Sequence, residues 1–123
     1  MVIRYASAVL TLAGILALIL GLLMWTGTTL NFISMHMLLG FLTVGALWVV
    51  GVVQAVAKAG NWGLAASALI LGALTIVFGL YQSSMLMGDF HWVIQVCHLL
   101  LGVLTIGLGH MSAARYRKVV DNS

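Results

Sequence analysis

SMHMLLGFLTVG, residues 34–45, returns sixty-two residues later as VCHLLLGVLTIG, residues 96–107, with seven of the twelve positions identical. His36 answers His98, Gly40 answers Gly102, and Thr43 answers Thr105. Both copies lie in long apolar runs. An imidazole is a poor packing residue there, and an ionisable group inside a membrane is a functional candidate by default.

The surroundings of the two copies set the solvent. Apolar residues make up 63% of the 123-residue chain and charged residues 6%, with a mean hydropathy of +1.21. A soluble domain carries about 25% charged residues, so this chain cannot clothe itself for water and belongs in a bilayer. Its length suits one domain. A single cysteine, Cys97, excludes an intramolecular disulfide. The net charge of +3 is no sign of a nucleic-acid partner, because the basic residues sit at the ends of apolar segments, where membrane topology explains them.

Outward from the two copies, four apolar segments emerge, at about 6–25, 32–57, 62–82 and 91–113, each near the ~20 residues that a ~30 Å hydrocarbon core demands. Arg4 before an apolar run imitates a signal peptide. The run is long enough to span and lacks a small-residue cleavage pattern, so it reads as the first span. The breaks TGTTLN (26–31), KAGN (58–61) and QSSMLMGD (82–89) are short, which makes successive spans antiparallel neighbours. The expected fold is therefore an all-α membrane protein, one up-down four-helix bundle over residues 1–123. Asp89 is the expected N-cap of the fourth helix, and Asn31 or Thr29 of the second. Arg4, Lys58, Arg115, Arg117 and Lys118 all fall at one end of this topology, and the other two loops carry no basic residue. The positive-inside rule makes that end cytoplasmic. The expected location is a bacterial inner membrane with both termini inside.

The repeat extends beyond its first motif. Span 1 carries Gly14 and Gly21, span 3 carries Gly72 and Gly79, and each pair is seven apart. Two similar helical hairpins result. Spans 2 and 4 are then parallel, related by an axis along the membrane normal, with His36 and His98 at one depth near the outer end. His36, Gly40, Thr43 and Leu47 lie within about 40° of one line on a helical wheel, as do His98, Gly102, Thr105 and Gly109. Two inward histidines with glycines on all four helices leave room for something flat and bulky.

In these features the chain resembles the membrane b-type cytochromes, namely cytochrome b and the cytochrome b561-like four-helix haem proteins. The resembling residues are His36-x3-Gly40 and His98-x3-Gly102 on alternate helices, with Gly14, Gly21, Gly72 and Gly79 on the other two. The resemblance implies one haem b held by His36 and His98, walled by those six glycines, and an electron-transfer role. An electron carrier or oxidoreductase subunit is expected rather than a stand-alone enzyme. Two-haem relatives carry a second histidine along each ligand helix. Here His110 lies about 120° off the His98 face, and its repeat partner is Trp48, so one haem is expected. A single haem near one surface cannot carry an electron across the membrane alone. A quinone, a redox partner subunit or a second copy of the chain would complete the path. No basic residue is at hand for haem propionates at the outer end, so Thr26, Thr28, Asn31, Ser83, Ser84 or His91 would serve.

Other readings compete. A pair of histidines can simply hydrogen-bond two helices, and glycines can serve close packing. Thr43 and Thr105 read first as side chains bonding the carbonyl four residues back, and His91 and His110 as interfacial residues. Met24, Met35, Met37, Met85 and Met87 gather near the outer end, and thioether with imidazole suits copper(I). Consecutive residues point about 100° apart on a helix, so Met35, His36 and Met37 cannot converge on one ion. A proton-coupled transporter would be expected to hold an acid within a span; Asp89 and Asp121 lie outside. No carboxylate pair, serine–histidine–acid set or phosphate loop is present. A cofactor-free subunit of a larger complex is the remaining class.

Overall fold

The computed structural model describes residues 2–27, 32–57 and 60–121. It contains four helices, α1 (Val2–Trp25), α2 (Ile33–Val56), α3 (Trp62–Tyr81) and α4 (His91–Asp121), with a short 3-10 turn at Gln82–Ser84 after α3. All four are long and apolar enough to cross a membrane. In hydrocarbon every backbone group must be satisfied internally, and a helix does this within its own segment. No proline interrupts the chain. Large apolar side chains turn outward all round, Leu12 at 65% exposure and Ile70 at 63% among them. That surface suits lipid and would not stay dispersed in water.

Two helices outrun the apolar limits, while α2 and α3 end within one residue of theirs. α1 begins at Val2, ahead of the expected residue 6, and α4 runs to Asp121, past the expected 113. At 1.5 Å per residue α4 is about 46 Å long, well beyond a ~30 Å core. Hydropathy marks where lipid ends. The backbone has no reason to stop there, because residues 114–121 contain neither glycine nor proline. Asn61 caps α3 by accepting from the Leu64 N–H at 3.2 Å. Asp89 makes no capping bond among the described residues. The main chain turns at Gly88 instead, with φ +103°, and the Gly88 carbonyl accepts from the His91 N–H at 3.1 Å. The α2 cap position is Phe32, which makes no side-chain cap bond, while Asn31 and Thr29 lie outside the described residues.

Helices adjacent in sequence pack together, and α4 closes the ring on α1. α2 and α4 also touch along one diagonal, whereas α1 and α3 do not approach each other among the described residues. The hairpin repeat is visible in the contacts. A Cβ on Gly14 would meet Ile106 of α4, and one on Gly72 would meet Val44 of α2, both at 2.8 Å. Val44 and Ile106 are themselves sixty-two residues apart. Leu10, Ala46, Leu47 and Ala68 fill the middle of the bundle, and Ile3, Val50 and Ala113 the end near Arg4. Among the described residues no such apolar plug closes the other end, where α1, α2, α3 and α4 surround a cavity.

Candidate functional site

The cavity has a volume of about 430 Å³, inside the roughly 300–1,000 Å³ of small-molecule and cofactor sites. His36 of α2 and His98 of α4 enter it from opposite corners of the short diagonal. Their ring centroids are 6.1 Å apart with planes crossed at 72°. A metal–imidazole bond of about 2.0–2.1 Å and a ring radius of about 1.1 Å put two imidazoles on opposite sides of one ion about 6.4 Å apart. A direct N–H···N bond of about 2.9 Å would bring the centroids to about 5.2 Å. The observed spacing and crossed planes are those of an edge-to-face ring contact; the spacing is also close to the first figure, and the two rings share no hydrogen bond among the described residues. The spacing names no metal. Among those residues there is no group of three or more His, Cys, Asp or Glu side chains that could hold a metal ion.

The glycines separate into three kinds. Around Gly40 and Gly102 a Cβ would meet nothing within 4 Å, so both leave open space beside the histidines. Gly21 and Gly79 give their space to the imidazoles: a Cβ on either would stand 3.0 Å from Cε1 of His36 or His98 respectively. Gly14 borders the cavity but is packed by Ile106. Gly72 does not line it; the Trp48 indole and Val44 occupy its surface. The wheel placed all six on inward faces, yet an inward face meets either a hole or a neighbour, and only packing decides which.

His36 Nδ1 lies 2.8 Å from the Ala17 carbonyl of α1. A carbonyl only accepts, so Nδ1 carries a proton, and in the neutral imidazole the lone pair is then on Nε2. This is the usual way a neutral imidazole is oriented for ligation. His98 Nδ1 is buried with no hydrogen-bond partner. On the floor, Thr43 bonds the Leu39 carbonyl at 2.7 Å and Thr105 the Leu101 carbonyl at 2.8 Å, as back-bonding predicts. Thr105 also meets Thr75 Oγ1 at 3.0 Å.

At the mouth, Ser83 lines the cavity beside Gln82 and Gln95. The two glutamines escaped the sequence reading. Gln95 stands one turn before His98, and that i, i+3 spacing was the available signal. Three other expected mouth residues are engaged elsewhere: Thr26 with the Leu23 carbonyl, Ser84 with the Tyr81 carbonyl, and His91 Nδ1 at 3.0 Å from the Met85 carbonyl. Thr28 and Asn31 lie outside the described residues. Met24 and Met37 border the cavity, whereas Met35 is 51% exposed.

The positions of a second ligand pair hold other contacts. Trp48 Nε1 donates to the Ala68 carbonyl at 3.1 Å, and His110 Nε2 lies 3.1 Å from Thr11 Oγ1. Because Thr11 gives its own proton to the Ser7 carbonyl, His110 is the donor to it. The described basic residues Arg4, Arg115, Arg117 and Lys118 lie at the closed end of the bundle and Asp89 at the open end; Lys58 lies outside the described residues.

The arrangement is that of a four-helix membrane protein with an internal repeat and a cavity flanked by two imidazoles. No protein-family model, no curated protein and no solved structure matches the chain.

Proposed function

We propose that the protein is a membrane electron carrier of the b-type cytochrome kind, binding one haem b between His36 and His98. The observation that carries this reading is the pair of imidazoles 6.1 Å apart across a cavity, beside the open faces of Gly40 and Gly102. Two imidazoles leave a tetrahedral ion such as zinc short of ligands and suffice for one that brings its own equatorial set. When bound, haem iron takes up and releases single electrons. The chain's residues hold and shield it: His36 offers Nε2 because Ala17 holds Nδ1, and the layer of Leu10, Leu47 and Ala68 closes the site from the far end. Gln82, Ser83 and Gln95 give neutral hydrogen-bond donors at the mouth, where carboxylates would otherwise call for cations.

One haem near one surface calls for a quinone, a redox partner subunit or a second copy to finish the path. The basic end belongs in the cytoplasm by the positive-inside rule, in a bacterial inner membrane, so the open end faces outward. Met24 and Met37 at the same cavity keep copper(I) as the second reading. Absorption spectra of the detergent-purified protein, oxidised and dithionite-reduced, separate the two. Sharp α and β bands on reduction are expected. A featureless visible spectrum after haem is supplied, with copper found by elemental analysis, overturns haem in favour of copper.

A further inference from the structure

The repeat makes the two histidines comparable, and the structure makes them unequal. His36 is tied to α1 through Nδ1 and the Ala17 carbonyl. Gly14 and Gly72, like Gly21 and Gly79, are fifty-eight residues apart, so the counterpart of Ala17 is Thr75. The Thr75 carbonyl receives no bond from His98, whose Nδ1 is buried and unpartnered. The rings are also turned oppositely against their glycines. From a Cβ position on Gly21, His36 Nδ1 is nearer than Nε2, at 3.6 against 3.9 Å. From Gly79 the order reverses, with His98 Nε2 at 3.5 Å and Nδ1 at 3.8 Å. Thr75 does not rescue the contact with its side chain: its hydroxyl donates to the Leu71 carbonyl and meets Thr105.

We infer that His36 is the fixed ligand and His98 a releasable one, so that a small neutral ligand such as carbon monoxide takes the place of His98. This rests on the reading of the two histidines as an axial pair. A carbonyl on the far nitrogen fixes an imidazole's orientation and strengthens it as a donor, and loss of such a partner typically costs about 10–100-fold in affinity. His98 lacks that support. Its Nε2 leaves, the lone pair of the entering ligand takes the vacated position, and no electron changes hands.

Two measurements test this. In the haem-free protein, ¹⁵N NMR of the imidazoles reads the asymmetry directly. His36 is expected as a single Nδ1–H tautomer protected from exchange, and His98 without a protected Nδ1–H. Protected Nδ1–H signals from both rings overturn the inference. In the haem-loaded protein, carbon monoxide added after dithionite is expected to shift the Soret band of the wild type. His98→Ala is expected to hold haem at least tenfold more tightly than His36→Ala. A reduced wild-type spectrum unchanged by carbon monoxide, with equal haem loss in the two variants, overturns the inference and leaves bis-histidine binding standing. Absence of bound haem from the wild type removes both.

Discussion

Glycines that look alike on a helical wheel do different work, and substitution separates them. Gly40 and Gly102 face open space, so Gly40→Leu or Gly102→Leu is expected to leave the bundle folded and to fill the room beside the histidines. The expected outcome is loss of haem, with the unfolding midpoint of the haem-free protein in detergent unchanged. Full haem content in both variants would show that these glycines serve something else. Gly72 is the contrast. Its surface is taken by Trp48 and Val44, so Gly72→Leu forces a packed contact apart. Overpacking of this kind costs about 1–3 kcal/mol and is expected as a lowered unfolding midpoint.

Among the elements, a buried polar side chain of α2 ties its end to the start of α3. Gln54 is 1% exposed. Its Nε2 donates to the Gly51 and Asn61 carbonyls, and its Oε1 accepts from the Asn61 N–H at 3.1 Å. Asn61 in turn caps α3. Gln54→Leu keeps the apolar stem and leaves the Asn61 N–H without its acceptor, at a cost of about 1–3 kcal/mol, while the Asn61 carbonyl keeps the Ala65 N–H. Faster amide exchange at Leu64 and the first turn of α3 is the expected signature, with the histidine end unaffected. The hydropathy pattern treated this segment as a break between spans. It did not reveal the glutamine reaching forward to hold it, since a lone glutamine near the end of an apolar run reads equally well as an interfacial residue.

For the whole molecule, the packed end carries the described basic residues and the open end carries the cavity. The proposed orientation is testable by labelling in a Cys97→Ser background. Asp89→Cys is expected to react with a membrane-impermeant maleimide in intact cells. Asp121→Cys is expected to react only after permeabilisation. The reverse pattern would turn the cavity toward the cytoplasm and demand a donor on that side. Asymmetric packing matters for stability as well as direction. With the plug at one end, the helix ends around the cavity are held by fewer apolar contacts. A group filling the cavity therefore stabilises the folded bundle, since it binds that state and not the unfolded chain. Haem supplied in excess is expected to raise the unfolding midpoint of the wild type and not that of a His36→Ala, His98→Ala double variant.

Composition, span length and the repeated histidine motif were enough to determine a four-helix membrane bundle of two hairpins, because each is set by local chemistry. Apolar surface chooses lipid, backbone in lipid chooses helix, and short breaks choose antiparallel neighbours. The 3.6-residue period likewise put His36, His98 and their glycines on inward faces. Whether an inward glycine meets a hole, an imidazole or an indole was decided only by the tertiary structure, since that depends on the side chain a neighbouring helix brings to the same depth. Helix ends and caps were also beyond the pattern, because the backbone continues past the lipid boundary until something stops it. The inequality of the two histidines lies furthest from the sequence. Two near-identical motifs predict two identical ligands, and the difference arises from one ring reaching the Ala17 carbonyl while its twin reaches none.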